Sequence, residues 1–405
     1  MMALHVEIER MRFMKAVMYG AGNIGRGFIG QAMSRSGYEV VFVDVVKDVV
    51  EALNRRGSYP VRVVSNDDTH EETVEGVRAV DGMDAAAVAR EIASADLMAT
   101  AVGANILPRI APVIAQGLKA RFDSGAPPLN IIICENLLDA NKLLKKWIAE
   151  ALPQEYVPML DTRVGFVEAS IGRMVPVMTK DMQEGDILRV WVEPYDELPV
   201  DRDAFIGGVP ALHHLQPFSP FEFYIERKLF IHNLGHATCA YFGFLKGYEF
   251  IWQAVSDADI RSRAYAVMSQ SAAGLSGCFG VPQSEIFLHV EDLLSRFGNR
   301  ALGDSVARVG RDPLRKLSPQ DRLVGSVRLC KSQALPYERI LDSLAAALLF
   351  HDPSDEASVR MAAMIEDQGV ESFLKDWCRL DQEDIPAVVT RYQQLQSCLR
   401  SRVEI

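Results

Sequence analysis

The chain has 405 residues, more than one hydrophobic core usually organises, so two domains are expected. At 49% hydrophobic and 24% charged residues it has an ordinary globular composition, which excludes a disordered or fibrous chain. A formal net charge of −11 argues against a protein built to grip nucleic acid or anionic lipid; an anionic ligand stays open only where basic residues gather locally.

Six cysteines are scattered with no CxxC pair, which fits neither a disulfide scaffold nor a cysteine-rich zinc site and points to a reducing cytoplasm. No apolar run approaches the roughly 18 residues needed to cross a bilayer. The N-terminal "MMALHVEIERMRFMK" carries acidic residues and lacks a signal-peptide core. With the first strand expected near Lys15, residues 1–13 read as a short extension or a product of start-site choice.

From 14 to about 200, short Val- and Ile-rich runs ("KAVMYG", "YEVVFVD", "DLMATAVG", "LNIIICEN") alternate with helical stretches such as 24–36 and 104–120. That alternation predicts an α/β Rossmann-type domain with a mostly parallel sheet covered on both faces. "YPVRVVSNDDTHEETVEGVRAVDG" predicts two polar-faced strands around a turn, an antiparallel addition. After residue 200 a Pro- and Gly-bearing connector leads into long helical segments near 221–246 and 253–277, followed by 283–297, 319–330, 336–350, 355–367 and 383–399. Residues 201–405 are therefore expected to form a mainly α-helical C-terminal domain.

"GAGNIGRG" places Gly20, Gly22 and Gly25 in a GxGxxG pattern between an apolar strand and a helix. The pattern suits a tight turn, close backbone approach to a diphosphate, and close helix packing, with the anion at the helix N-terminus. Asn23 and Ile24 lie inside this loop and belong to the same expected cofactor site. Asp44 ends the next strand about twenty residues on, where an acid bonds the adenosine ribose hydroxyls and repels a 2′-phosphate, so NAD(H) is expected over NADP(H). Thr100, Val102 and Gly103 close a later strand, at the edge where such sheets hold ligands; an ordinary strand-ending turn reads equally well.

"RKLFIHNLGHA" sets Lys228, Asn233 and His236 at roughly 0°, 140° and 80° of α-helical rotation, on one side of a helix. A desolvated lysine can accept a proton near neutral pH, an amide can donate to an oxygen gaining charge, and an imidazole can hold a hydroxyl. His232 and His236 stand four apart, but "HNLGH" lacks the glutamate of HExxH and no third ligand is evident, so no metal is expected. The residues alone leave open a structural helix whose lysine reaches solvent.

The fuller "ERKLFIHNLGHA", with "GAGNIGRGFIG", "PLNIIICEN" and "RVGRDPLRKLSPQDRL", resembles the polyol-specific long-chain dehydrogenases, in the same order from about residue 14 to beyond 350. The resemblance implies NAD(H)-dependent hydride transfer without a catalytic metal, on a small sugar-phosphate or polyol substrate. By the same resemblance Lys228 is the acid/base, Asn233 and Asn136 stabilise the developing alkoxide, and His236 positions substrate. The expected reaction interconverts mannitol 1-phosphate and fructose 6-phosphate. An unphosphorylated polyol or a hexuronate is the alternative within the family, and an inactive NAD(H)-binding sensor the alternative outside it.

A phosphate needs cations, and "VGRDPLRKL" concentrates Arg311, Arg315 and Lys316 within six residues. At least one of them is expected to meet it; a solvated basic turn paired with Asp312 or Asp304 is the other reading. One departure stands out: the family's Asp before Arg is Gly172 in "SIGRMVP". "HHLQPFSP" is also unlike the relatives. No nucleic-acid or membrane partner is expected, and nothing marks a subunit interface, so a monomer fits the sequence.

Overall fold

A computed structural model describes residues 14–137 and 139–403. The extension expected at 1–13 lies outside the described residues. The chain divides into two compact units between Phe221 and Glu222.

In the first unit, β1 (Lys15–Tyr19), β2 (Glu39–Asp44), β3 (Ser58–Val64), β4 (Thr69–Glu75), β5 (Val77–Asp81), β6 (Leu97–Thr100), β7 (Leu129–Ile133) and β8 (Val164–Glu168) follow in order. Six of these form one all-parallel sheet in the order β5-β2-β1-β6-β7-β8. Both faces are covered, which explains why the strands read as near-continuous apolar runs. Successive side chains alternate between two cores: Ala16, Met18, Val40 and Phe42 enter one, while Val17, Tyr19, Val41 and Val43 enter the other. Each of the Val, Met and Phe side chains among these, fully buried, contributes about 1.5–3 kcal/mol. The strand order reverses at β1, so the loops leaving β1, β6 and β7 share one carboxyl edge, where open α/β sheets bind ligands.

β3 and β4 pair antiparallel as expected, but only β4 is polar-faced: β3 is buried along most of its length and also pairs in parallel with β9 (Val190–Val192), and the end of that stretch, β5, joins the parallel sheet. The connector after residue 195 holds a short parallel ladder that no periodicity announced, β10 (Leu198–Asp201) with β11 (Leu215–Phe218), and both strands belong to the first unit.

The second unit is helical. Glu222–Arg227, Lys228–His232 and Asn233–Lys246 run on as one rod, and its later turns are buried almost all round, from Leu234 to Phe242. The single helix expected over 253–277 is two, Ile251–Ser256 and Ala258–Phe279. Asp257 separates them: its backbone is extended, and its carboxylate caps the N–H groups of Asp259 and Ile260. Gln283–Phe297, Val324–Ser332, Glu338–Ala347, Glu356–Asp376 and Ile385–Val403 supply the remaining long helices.

Candidate active site

The glycine loop leaves β1 with three distinct geometries. Gly20 has φ +104, and a Cβ there would lie 2.6 Å from the Ala101 carbonyl oxygen. A Cβ on Gly25 would lie 2.0 Å from the Gly20 oxygen, so the helix packs back on the turn too closely for any side chain. A Cβ on Gly22, by contrast, meets nothing within 4 Å: the space over Gly22 is open, as a diphosphate-binding loop requires. Asp44 does more than end β2. Its Oδ2 accepts the Ala21 N–H at 2.7 Å and its Oδ1 the Val46 N–H at 3.0 Å, so the carboxylate braces the loop. Asn23 spends its side-chain amide on the Pro176 carbonyl at 3.1 Å. Ile24 starts the helix, whose Gly25–Gly30 segment is a π-helical turn.

At the ends of β6 and β7 the sequence hid a residue. Glu135 is 8% exposed; its Oε2 accepts the Thr100 hydroxyl at 2.7 Å and its Oε1 the Val102 N–H at 3.0 Å. Burial pushes this carboxyl above its usual range, opposed by those donors. Glu135 thus fixes the Thr100–Gly103 turn, and the chain pivots at Gly103, φ +92. Its one sequence signal is an acid next to Asn136 directly after an unbroken apolar strand. Asn136 stands exposed beyond that carboxyl end, and Cys134 is buried.

In the second unit, Lys228–His232 is a π-helical turn, with the Asn233 N–H donating to the Lys228 carbonyl five residues back. In an α-helix the residue lying over position i is i+4; in this wider turn it is i+5. The π turn therefore narrows the 140° separation expected of an α-helix and brings position 233 toward the face of position 228. Both side chains are partly buried. His236 follows on an α-helical turn, its ring stacked on Phe297 at 4.7 Å and 9°. Its Nε2 is buried without a hydrogen bond, 3.5 Å from Asp304 Oδ2. Burial, helped by Arg308, Lys316 and Arg322 against Asp304, takes the imidazole down to about 4, so it is neutral at pH 7.

His232 is buried with its ring 5.6 Å from Phe297, and burial holds it well below its usual value. Among the described residues, three potential ligand atoms converge only at Asp196, His213 and His214 and at Asp381, Glu383 and Asp384, so "HNLGH" gathers no third ligand. Arg227 packs over the Tyr224 ring at 4.5 Å.

Arg311, Arg315 and Lys316 line one groove of the second unit, but in unequal states. Asp312 adopts φ +58 and caps the short helix Pro313–Lys316. That bend turns Lys316 inward: it is 4% exposed and donates to the carbonyls of Val309, at 2.5 Å, and Arg311. Burial pulls its ammonium down to about 7. Arg315 bonds Asp312 at 2.8 Å and Asp321 at 3.1 Å. Arg311 is exposed, and among the described residues no carboxylate forms an ion pair with it.

Gly172 borders an aromatic ring: a Cβ there would stand 3.2 Å from Tyr195 Cε1 and 3.6 Å from its hydroxyl. The neighbouring Arg173 is 5% exposed and bonds the carbonyls of Glu193 and Gly27 and the Gln31 side chain, bracing the helix that follows the glycine loop. Burial takes this guanidinium down to about 10.

Comparisons with known proteins agree across both units. A mannitol-1-phosphate 5-dehydrogenase of Brevibacillus brevis is 41% identical over 361 residues, covering 89% of this chain and 92% of the relative. One of Geobacillus thermodenitrificans is 38% identical over 393 residues, covering 95% and 99%. At the level of fold, a D-sorbitol dehydrogenase solved in substrate-free form superposes with a TM-score of 0.80 at 17% identity, covering 95% of this chain and 94% of that one. A Pseudomonas fluorescens mannitol 2-dehydrogenase, solved as a ternary complex with NAD and D-mannitol, gives 0.75 at 18%, covering 96% and 92%. Residues 14–214 match the mannitol dehydrogenase Rossmann domain and residues 221–399 the mannitol dehydrogenase C-terminal domain, so the chain belongs to the mannitol dehydrogenase family.

Proposed function

We propose that this chain is an NAD(H)-dependent oxidoreductase that interconverts mannitol 1-phosphate and fructose 6-phosphate. The observation that supports the chemistry is the π turn at Lys228–His232, which brings position 233 toward the face of position 228. The substrate rests on relatives 38–41% identical over most of the chain, both mannitol-1-phosphate 5-dehydrogenases. The residues at the sheet edge fit the cofactor: the space over Gly22 is open, and Asp44 lies beside the loop where a ribose would sit. Asp44 favours NAD(H) over a 2′-phosphorylated cofactor by charge.

When bound, the nicotinamide takes up or supplies the hydride. In the oxidation direction Lys228 Nζ takes the proton from the reacting hydroxyl. In reduction, the protonated amine returns it to the carbonyl oxygen. The amide of Asn233 donates to that oxygen as negative charge develops on it, the role that the family resemblance also gives Asn136. His236, neutral at pH 7, accepts from or donates to a substrate hydroxyl, which positions the sugar without competing for the proton. Of the candidate cations, Arg315 is tied to Asp312 and Asp321 and Lys316 to two backbone carbonyls, which leaves Arg311 to meet the phosphate.

An inactive sensor finds no support, because the relatives are dehydrogenases and Lys228, Asn233 and His236 are all present. The family alternative, an unphosphorylated polyol or hexuronate, is tested by assaying fructose 6-phosphate, free fructose and fructuronate with NADH and NADPH side by side. Turnover that favours fructose 6-phosphate with NADH supports the proposal, and equal turnover of the free sugar contradicts it. A reducing cytoplasm suits the six unpaired cysteines, and no helix of the described residues is long and apolar enough to cross a membrane.

A further inference from the structure

The groove that holds the candidate phosphate cluster contains a cation the sequence did not single out. Arg360, in the first turns of helix Glu356–Asp376, lines the same groove as Arg311. We infer that the substrate's phosphate is held by the guanidinium groups of Arg311 and Arg360 together with the first-turn amides of that helix, and not by Arg315 or Lys316. This rests on the sugar-phosphate reading above and narrows it to particular donors.

Availability decides among the cations. Lys316 has turned its ammonium onto two backbone carbonyls. Arg315 is committed to Asp312 and Asp321, and Arg308 to Asp304. Moving any of these onto a phosphate leaves a carboxylate or carbonyl without its donor, which offsets the gain. Arg311 and Arg360 form no ion pair with a carboxylate of the described residues; Asp352 is near enough to feel the charge of Arg311 but does not bond it, and Arg360 lies over the Trp377 ring at 5.8 Å, a contact that orients its plane without consuming its N–H donors. A phosphate monoester is met best by planar, bidentate guanidinium forks.

The anionic side chains of the groove point the same way. Asp312 is held by Arg315. Asp355, 7% exposed, accepts the Asp312 N–H at 2.8 Å and makes no side-chain cap to its own helix. The start of this helix, which runs unbroken only as far as the kink at Gly369, therefore keeps N–H groups that its N-cap carboxylate does not occupy, and the helix dipole favours an anion there. Glu356 is the opposing charge, exposed at the first helical position. Even so, five cationic side chains meet three anionic ones in this groove of a chain whose net charge is −11. The groove also adjoins the catalytic helix, since Asp304, beside His236 Nε2 at 3.5 Å, pairs with the groove-lining Arg308.

The test is kinetic and uses the full chain. Fructose 6-phosphate reduction by NADH is measured for the parent enzyme, Arg311→Gln, Arg360→Gln, Arg360→Lys and Arg315→Gln, with inorganic phosphate as inhibitor. Arg311→Gln and Arg360→Gln should each raise KM for fructose 6-phosphate by about 10–100-fold, the range for losing a hydrogen bond to a charged group. kcat should stay within about three-fold, since the phosphate is remote from the reacting carbon. Inorganic phosphate should compete with fructose 6-phosphate and weaken in parallel in both variants. Arg360→Lys should recover part of the loss, and Arg315→Gln should leave KM within about three-fold. An unchanged KM and phosphate inhibition in Arg360→Gln overturns the inference. So does phosphate inhibition that is not competitive, which marks a separate effector site. If the parent enzyme does not reduce fructose 6-phosphate, the sugar-phosphate reading itself fails. Calorimetric titration with inorganic phosphate then judges the anion site alone: binding lost in the Arg311→Gln/Arg360→Gln double variant upholds the two donors, and binding retained there removes them.

Discussion

The backbone N–H of Asn233 reaches back five residues to the carbonyl of Lys228, so an amide donor stands one wide turn above an amine. A π turn is rare and is found mostly as a single turn within an α-helix, frequently at functional sites. Here it solves a spacing problem, because five residues of α-helix would splay the pair. Asn233→Ala should lower kcat for fructose 6-phosphate reduction by about 10²–10³-fold, the scale for losing one donor to a developing oxyanion. The affinity for NADH, read by fluorescence titration, should hold. A kcat within about three-fold of the parent would remove Asn233 from the chemistry.

Two glycines of the loop, one facing open space and one packed on backbone, make a paired prediction. Gly22→Ala puts a methyl group where nothing lies within 4 Å, so thermal stability should be unchanged while NADH affinity falls by at least about ten-fold. Gly25→Ala drives its Cβ to 2.0 Å from the Gly20 oxygen, so it should destabilise the fold by about 1–3 kcal/mol or more, read by denaturant unfolding. Equal stability losses in both variants would contradict a ligand space at Gly22.

Much of this half of the site was legible because its signals are local. Alternating apolar runs, three glycines and an acid at the next strand end all lie within 30 residues and report backbone geometry directly. Glu135 was illegible for the opposite reason. Its partners Thr100 and Val102 lie 35 and 33 residues away and meet it only because β6 and β7 are neighbours. The π turn was missed because rotation counted at α-helical pitch has no term for a widened turn. Lys316 and Arg311 look interchangeable in "RDPLRK"; the left-handed Asp312 between them sends one inward and leaves the other in solvent.

Glu135→Gln keeps the side chain's shape but offers an NH₂ group to one of two N–H or O–H donors. The Thr100–Gly103 turn should loosen, and NADH affinity should fall by about 5–20-fold, because the turn passes on only part of the roughly 10–100-fold worth of a hydrogen bond to a charged acceptor. The pH dependence has a definite sign. Burial raises this carboxyl's pKa in the folded state, so the folded chain holds the proton more tightly than the unfolded chain, and stability falls as pH rises beyond the ordinary carboxylate range. That decline should flatten in Glu135→Gln; an identical slope in both proteins would rule out the buried carboxyl as its source.

His236 has the opposite dependence. Its folded pKa of about 4 lies below the unfolded value near 6.5, so the unfolded chain binds the extra proton first. Stability is therefore lost as pH falls from about 6.5 toward 4, and His236→Asn should lack that part of the acid limb in urea titrations. The same neutrality keeps His236 out of the pH–rate profile between pH 5 and 8. The variant should raise KM for the sugar and leave the profile's shape alone.

The account depends most on one group, the amine of Lys228 exchanging a proton with the sugar's reacting oxygen. The direct measurement is the turnover of fructose 6-phosphate by Lys228→Ala at saturating NADH, with NADH binding titrated in the same preparation. The account predicts turnover reduced by about 10²–10⁴-fold with the cofactor affinity intact. Turnover near the parent's, in a variant that still binds NADH, would contradict it.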